Sequence, residues 1–264
     1  MSYFNHENLL QKDDFGKPQE GKAGKIYYEV RGAGMPVVFL HGNTASSRMF
    51  EPLLPLYEDK FQVILMDFLG NGRSERVEKF SPDVWMDQAA QVIGLLEHLK
   101  VGKAGLVGCS GGAWTAVNTG LMRPDLIKGI VADSFDGRTL GEGFAENLVR
   151  ERQAAKKDPQ SAGFYAWCQG DDWEQIVDKD TEALLQCAKL GRPLFAAPLS
   201  QLSLPLLLMG SLGDQMTRRD LKQEYEEIAG ETGGEICLFP QGGHPALFSN
   251  AEEAAEVICR FFQK

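Results

Sequence analysis

No stretch of this 264-residue chain is apolar for long enough to cross a bilayer; runs such as LPLLLMG at 204–210 fall far short of the roughly 20 residues required. Basic clusters are also missing. Lys156 and Lys157 pair among acids, and the formal net charge is −10, which argues against nucleic acid as a partner. Five cysteines, Cys109, Cys168, Cys187, Cys237 and Cys259, are an odd number, widely spread and without a CxxC pair. That excludes a disulfide framework or zinc site and points to buried thiols in a reducing, cytoplasmic compartment. The opening MSYFNHENLLQKDDFG lacks the positive start and apolar core of a signal peptide. Neither internal repeats nor low-complexity segments occur. Metal-ligand spacing is absent, and DFLGNGRS at 67–74 lacks the glycines and lysine of a phosphate loop, so neither a metal nor a cofactor is expected.

What is present is a composition of 43% hydrophobic and 24% charged residues, that of a soluble globular protein with one sizeable core. KIYYEV at 25–30 reads as a strand. PVVFLHG, FQVILMDF, KAGLVGCS, IKGIVADS, LPLLLMGS and EICLFPQ follow as short continuous apolar runs, the pattern of strands buried on both faces of a parallel sheet. Helical segments separate them. In DVWMDQAAQVIGLLEHLK, residues Val84, Val92, Leu95, Leu96 and Leu99 share a face, Gln88 is the exception on it, and Pro82 and Gly102 punctuate the ends. Alternating strands and helices predict an α/β architecture, a mostly parallel central sheet with helices on both faces.

Residues 136–200 break the alternation: three helical segments appear without a strand between them. Phe144, Phe164, Tyr165, Trp167, Trp173 and Phe195 gather there. Most are expected to form the core of a helical insertion, and some to line an apolar pocket. The chain is thus expected to divide into an N-terminal extension at 1–24, loosely packed, a core at 25–135 and 201–264, and a helical cap at 136–200.

Within GLVGCSGGAW, the string GCSGG fits G-x-S-x-G at Gly108, Ser110 and Gly112. A strand turning abruptly into a helix leaves the serine strained and its hydroxyl exposed, and side chains at the flanking glycines would collide across the turn. Here KAGLVG supplies the strand, and GGAWTAVNTGLMR the helix that Pro124 ends.

At these residues the chain resembles the α/β-hydrolase fold family, in its serine-esterase-like branch. PVVFLHGN looks like the strand ending in the oxyanion loop, DFLGNGRS like the D-x-x-G-x-G-x-S loop, and RPDLIKGIVADS like the stretch after the nucleophile helix. LPLLLMGSLGD and FPQGGHPALF look like the strands that deliver the acid and the histidine. The resemblance covers nearly the whole chain and implies a helical cap inserted after the sixth strand.

The resemblance implies that Ser110 is the nucleophile, and a serine hydroxyl needs an adjacent base. Of four histidines, His6 lies in the polar N-terminal stretch, His98 near the end of an amphipathic helix at a solvated position, and His41 in the HG turn that it shapes. His244, after Gly242 and Gly243, matches the family's base and its chain order. Asp214 stands where the family places the acid, although GSLGD has one residue more than the commonest spacing; Asp133 and Asp136, after the preceding strand, are the alternatives. The family's oxyanion hole maps to the backbone N–H groups of Gly111 and Asn43. Gly70, Gly72 and Ser74 read as scaffold, Cys109 as a packed thiol and Trp114 as core.

Haloalkane dehalogenases and epoxide hydrolases of this fold carry an aspartate where this chain has Ser110, and the proline iminopeptidase branch shows HGGPG where this chain reads HGNTA. The expected activity is carboxylesterase-type hydrolysis of a small-molecule ester through an acyl-enzyme, the substrate carrying an apolar acyl or aryl group. Hydrolysis of C–C bonds, thioester hydrolysis and acyl transfer share the triad. A ligand receptor on the same scaffold is the alternative from another class.

Overall fold

The computed structural model describes residues 2–6, 24–141 and 143–264. The chain runs β1 (Ser2–His6), β2 (Gly24–Arg31), β3 (Met35–Leu40), β4 (Phe61–Met66), α1 (Val84–Leu99), β5 (Ala104–Cys109), α2 (Gly111–Met122) and β6 (Ile127–Asp133). Three helices follow without a strand: α3 (Phe144–Ala155), α4 (Pro159–Gln169) and α5 (Trp173–Lys189). β7 (Leu206–Ser211), α6 (Leu221–Thr232), β8 (Glu235–Phe239), α7 (Ala246–Ser249) and α8 (Ala251–Phe262) complete it.

The strands form one eight-stranded sheet in the order β1-β2-β4-β3-β5-β6-β7-β8. β3 to β8 pair in parallel, while β1 with β2 and β2 with β4 are antiparallel. Every apolar run expected to be a strand is one. The continuous runs are explained by cover on both faces: Val38, Leu106 and Ile130 pack on one side, Phe39, Val107 and Val131 on the other.

β1 differs from expectation. Residues Ser2–His6 are not loosely packed but add an edge strand whose Phe4 and His6 turn inward, at 5% and 7% exposure. Phe4 stacks on His98 at 5.5 Å between ring centres, and that histidine stays exposed near the end of α1. The remainder of the expected extension, at 1 and 7–23, lies outside the described residues. The polar exception on α1 is also resolved. Gln88 is buried and accepts a hydrogen bond from the Thr115 hydroxyl at 2.8 Å, so α1 meets α2 without an unpaired amide oxygen.

From β3 the chain passes to β4 on one side, then returns to β5 on the other. Such a reversal opens a crevice at the carboxyl ends of the two strands, where open α/β sheets bind ligands. Asn43 follows β3 and Ser110 follows β5, so both stand at that crevice.

The α3–α5 layer grips the loops around this crevice. The Gln169 amide donates to Ala45 O and Asn71 Oδ1 and accepts from the Gly72 amide at 2.7 Å. Arg76 bridges to Asp172 and to Gln169 O. Of the aromatics in this stretch, Tyr165 is buried and stacks on Trp173, whereas Phe164 and Trp167 are exposed at 37% and 39%. Phe164 packs against Trp167 and Tyr165, with ring centres 6.1 and 6.3 Å away. Among the described residues no helix is long and apolar enough to cross a membrane.

Candidate active site

Ser110 adopts φ 54° and ψ −125°, a conformation costing about 1–3 kcal/mol in a non-glycine residue. Its surroundings enforce it. The Ser110 amide donates to Asp133 O at 2.8 Å, and its carbonyl accepts from the Ala113 amide at 2.9 Å, which starts α2. The neighbouring glycines are sterically required: a Cβ on Gly108 would sit 2.0 Å from Gly112 O, and one on Gly112 would sit 2.2 Å from Leu40 O. β5 and α2 can therefore meet β3 closely only with this sequence, and the serine is left at the helix N-terminus, where backbone N–H groups lack helical partners.

Gly111 has a separate reason to be glycine. A Cβ there would lie 1.6 Å from Asn43 Oδ1, so the Asn43 carboxamide occupies the space beside the residue after the serine. That carboxamide is held at both ends: Trp85 Nε1 donates to Oδ1 at 3.3 Å, and Nδ2 donates to Asp180 Oδ1 at 3.0 Å. Trp85 in turn stacks on Trp114 at 4.5 Å, and Trp114 donates to Gly137 O at 2.9 Å. Trp114 is thus core, as expected from the sequence, and Trp85 is the aromatic that reaches the site.

His244 Nδ1 lies 2.8 Å from Asp214 Oδ2, with the carboxylate fully shielded and the ring 14% exposed. The second oxygen, Asp214 Oδ1, accepts from the Met216 amide at 2.8 Å. The extra residue in GSLGD is absorbed in the turn, where the Asp214 amide donates to Ser211 O. The structure brings His244 and Asp214 together.

The other two aspartates have different partners. Asp133 is fully buried; Oδ2 accepts from the Leu247 amide and Oδ1 from the Ser134 hydroxyl, each at 2.9 Å. Burial pushes its carboxyl up to about 7 against the opposing pull of those two donors. Asp136 Oδ1 accepts from the Arg218 amide at 2.7 Å, and burial raises its carboxyl too. Neither makes a hydrogen bond to His244 among the described residues.

His41 shapes its loop. Nε2 accepts from the Phe68 amide at 3.2 Å, so Nδ1 carries the proton toward Gly42 O at 2.9 Å. Burial lowers its pKa, in keeping with that neutral tautomer. The DFLGNGRS loop is scaffold: Asp67 accepts from the Ser47 and Arg73 amides and pairs with the Arg73 side chain at 3.1 Å. A Cβ on Gly72 would strike Asp67 Oδ2 at 2.4 Å. Cys109 is buried, and desolvation drives its thiol well above the ordinary range, which keeps it uncharged beside the serine.

Arg152, Asp180 and Trp85 are the members of this site that sequence reasoning missed. Arg152 Nη2 pairs with Asp180 Oδ2 at 3.1 Å, while Nη1 donates to Thr44 Oγ1 at 2.7 Å and to the Tyr165 hydroxyl at 3.0 Å. Charged residues on helices ordinarily read as solvated, and no spacing marks these two.

A family model described as the alpha/beta hydrolase family matches residues 37–257. A 2-(acetamidomethylene)succinate hydrolase of Mesorhizobium japonicum is 37% identical over 115 residues, 42% of this chain and 40% of that protein. A haloalkane dehalogenase 2 of Mycobacterium tuberculosis is 29% identical over 113 residues, 42% of this chain and 39% of that one. The chain thus aligns with about 40% of the length of these curated relatives. The solved structure of an esterase from Exiguobacterium antarcticum superposes with a TM-score of 0.71 and 21% identity, covering 92% of this chain and 97% of that one, which establishes a shared fold.

Proposed function

Because the chain belongs to the α/β-hydrolase family, we propose that it is a serine hydrolase that cleaves a small-molecule ester, with Ser110 as nucleophile, His244 as base and Asp214 as the orienting acid. The observation that carries this reading is the 2.8 Å contact of His244 Nδ1 with a shielded Asp214 carboxylate, in a fold whose strained elbow presents Ser110 at the same end of the sheet.

The chemistry follows from the tautomer. A carboxylate only accepts, so Nδ1 carries the proton and Nε2 is left with a lone pair to receive one. In the proposed reaction Ser110 Oγ attacks the acyl carbon as its proton passes to Nε2, and negative charge collects on the carbonyl oxygen. The Gly111 N–H, first of α2, and the Asn43 N–H after β3 are the proposed donors to that oxygen. The helix N-terminus adds a favourable field. Collapse expels the alcohol, which takes the proton from Nε2. Water then gives its proton to Nε2 and attacks the acyl-enzyme; the acid product leaves and Ser110 regains its proton. No redox partner is needed for the atoms to balance. The substrate is expected to carry an apolar acyl or aryl group. Residues 136–200 are proposed to act as the cap over the site, with 25–135 and 201–264 as the core.

The test is hydrolysis of p-nitrophenyl esters of graded chain length by wild type and Ser110→Ala in parallel, with labelling by a serine-directed phosphonate. The reading requires turnover by wild type, a loss of about 10⁶-fold in the alanine variant, and one label per chain at Ser110. Labelling without turnover would favour the receptor reading or a narrowly selective enzyme. An unlabelled Ser110 would remove the serine hydrolase reading altogether.

A further inference from the structure

The turn after β3 carries an unusual strain. Thr44 has φ 60°, a left-handed conformation that β-branched residues almost never adopt. Its hydroxyl donates to Asn43 O at 2.5 Å, and the Ala45 amide closes the turn on Gly42 O at 3.2 Å. Such strain, about 1–3 kcal/mol, persists only where surrounding groups over-determine it. A Cβ on Gly42 would lie 3.0 Å from the Ser110 Cβ, so this turn presses directly on the elbow.

The groups that over-determine it come from the helical layer. Asp180 on α5 is 5% exposed and spends both oxygens: Oδ1 on the Asn43 side chain, Oδ2 on Arg152. Arg152 on α3 reaches past Asp180 to the Thr44 hydroxyl. One buried ion pair therefore holds both Asn43 and Thr44 from elements that are 137 and 108 residues away in sequence. Removing either partner would leave an uncompensated buried charge, which makes the arrangement close to all-or-none.

We propose that Asp180 and Arg152 are positioning residues for the oxyanion turn: together with Trp85 they fix the Asn43 carboxamide and the Thr44 hydroxyl, and so aim the Asn43 N–H at the reacting oxygen. The proposal rests on the serine hydrolase reading and adds to it that the helical layer completes the catalytic core. Neither residue touches the reacting atoms in this scheme.

The experiment compares wild type with Asp180→Ala, Asp180→Asn, Asn43→Ala and the Asp180→Ala/Asn43→Ala double variant, with Lys156→Ala, which cuts the helical layer's Lys156–Asp178 pair at 2.6 Å, as control. Readouts are kcat and KM on a p-nitrophenyl ester, the Ki of a trifluoromethyl ketone, phosphonate labelling rate and thermal midpoint. Asp180→Ala should lower kcat about 10²-fold, the scale of a misaligned reacting group, with KM within about threefold. The ketone Ki should rise in parallel, because it senses the same donor. Asp180→Asn keeps an acceptor for Asn43 but turns an NH₂ toward Arg152 and leaves that guanidinium uncompensated, so its loss should stay within about tenfold of that of Asp180→Ala. The double variant should lose clearly less than the product of the two single losses, since the Asp180–Asn43 contact is common to both. Lys156→Ala should match wild type.

A lowered thermal midpoint with kcat and ketone Ki unchanged would overturn the proposal and make the pair fold glue. So would losses that multiply in the double variant. If Asp180→Ala does not fold, Asp180→Asn and Asn43→Ala carry the same comparison. If wild type is labelled but does not turn over, the labelling rate must show the same pattern. If Ser110 is never labelled, the hydrolase reading fails and takes this proposal with it, an outcome the wild type alone reveals.

Discussion

β6 and β7 are neighbours in the sheet, and each ends near a buried aspartate on the His244 side of the molecule, yet the two carboxylates are wired differently. Asp214 gives one oxygen to a backbone amide and the other to the His244 ring. Asp133 gives one to the Leu247 amide and the other to the Ser134 hydroxyl, which itself accepts from the Ala246 amide. One therefore faces a titratable ring, while the other staples the loop that follows that ring. Position at a strand end does not decide between an orienting acid and a structural brace; the identity of the second hydrogen-bond donor does.

The largest expected effect breaks this comparison at Asp214, the orienting acid of the proposed reaction. Asp214→Asn keeps the shape but turns a donor toward His244 Nδ1 or favours the wrong tautomer, so turnover should fall about 10⁴-fold. Steady-state hydrolysis of a p-nitrophenyl ester measures it. A loss of only a few-fold, with Asp133→Asn or Asp136→Asn crippled instead, would move the acid to β6.

How much of this was legible in the sequence differs between scaffold and site. The strands from β2 to β8 stand out as apolar runs because most of their central residues are buried, with polar residues at exposed positions such as Lys25, Lys128 and Glu235. β1 does not, since five residues at an edge need only Phe4 and His6 inward, and SYFNH reads as polar. The strand–GCSGG–helix pattern and the late GGHP were legible because a tight turn and a strand-end loop demand particular residues. The clamp on Asn43 was not. Trp85 lies in an amphipathic helix, where an aromatic ordinarily packs as core, and a charge on a helix, as at Arg152 and Asp180, ordinarily meets solvent. Only tertiary packing brings them to a turn more than a hundred residues upstream of the latter two. Among the aromatics of 136–200 the sequence does not single out which are buried; Tyr165 is, whereas Phe164 and Trp167 are partly exposed.

Asp133 should answer the same substitution differently. An asparagine can still accept from the Leu247 amide through its oxygen and offer its NH₂ to the Ser134 hydroxyl, so Asp133→Asn should retain kcat within about tenfold; Asp133→Ala, which orphans the Leu247 N–H, should lose about 1–3 kcal/mol of stability. The pH dependence sharpens the contrast. The folded carboxyl sits at about 7, raised by burial above the roughly 3.9 of an unfolded aspartate. The native state therefore holds a proton that the unfolded chain releases, and this contribution is full below the unfolded value and lost as pH rises through the folded one. Between pH 5 and 8 the wild type should lose stability relative to Asp133→Asn, as thermal or urea unfolding of the two would record. Parallel curves would mean that Asp133 is charged throughout.

The smallest effect belongs to the third carboxylate. Asp136 accepts from the Arg218 amide and, through its own carbonyl, from Arg218 Nη1 at 3.1 Å, so it ties the end of β6 to the segment after Asp214. Asparagine preserves the acceptor toward the Arg218 amide and removes only a charge that Arg218 already offsets. Arg218 is also bonded to Asp220 at 2.7 Å and lies 3.3 Å from Glu224, so it does not become unpaired. Asp136→Asn should therefore change kcat by less than about threefold, because the asparagine keeps the acceptor toward the Arg218 amide and a partly buried carboxylate is already disfavoured, with the thermal midpoint nearly unchanged. A loss approaching that of Asp214→Asn would mean that the Arg218 segment, and not the carboxylate bonded to His244, sets the orientation of the ring. The same ester assay decides it, because the two variants differ only in which aspartate has lost its charge.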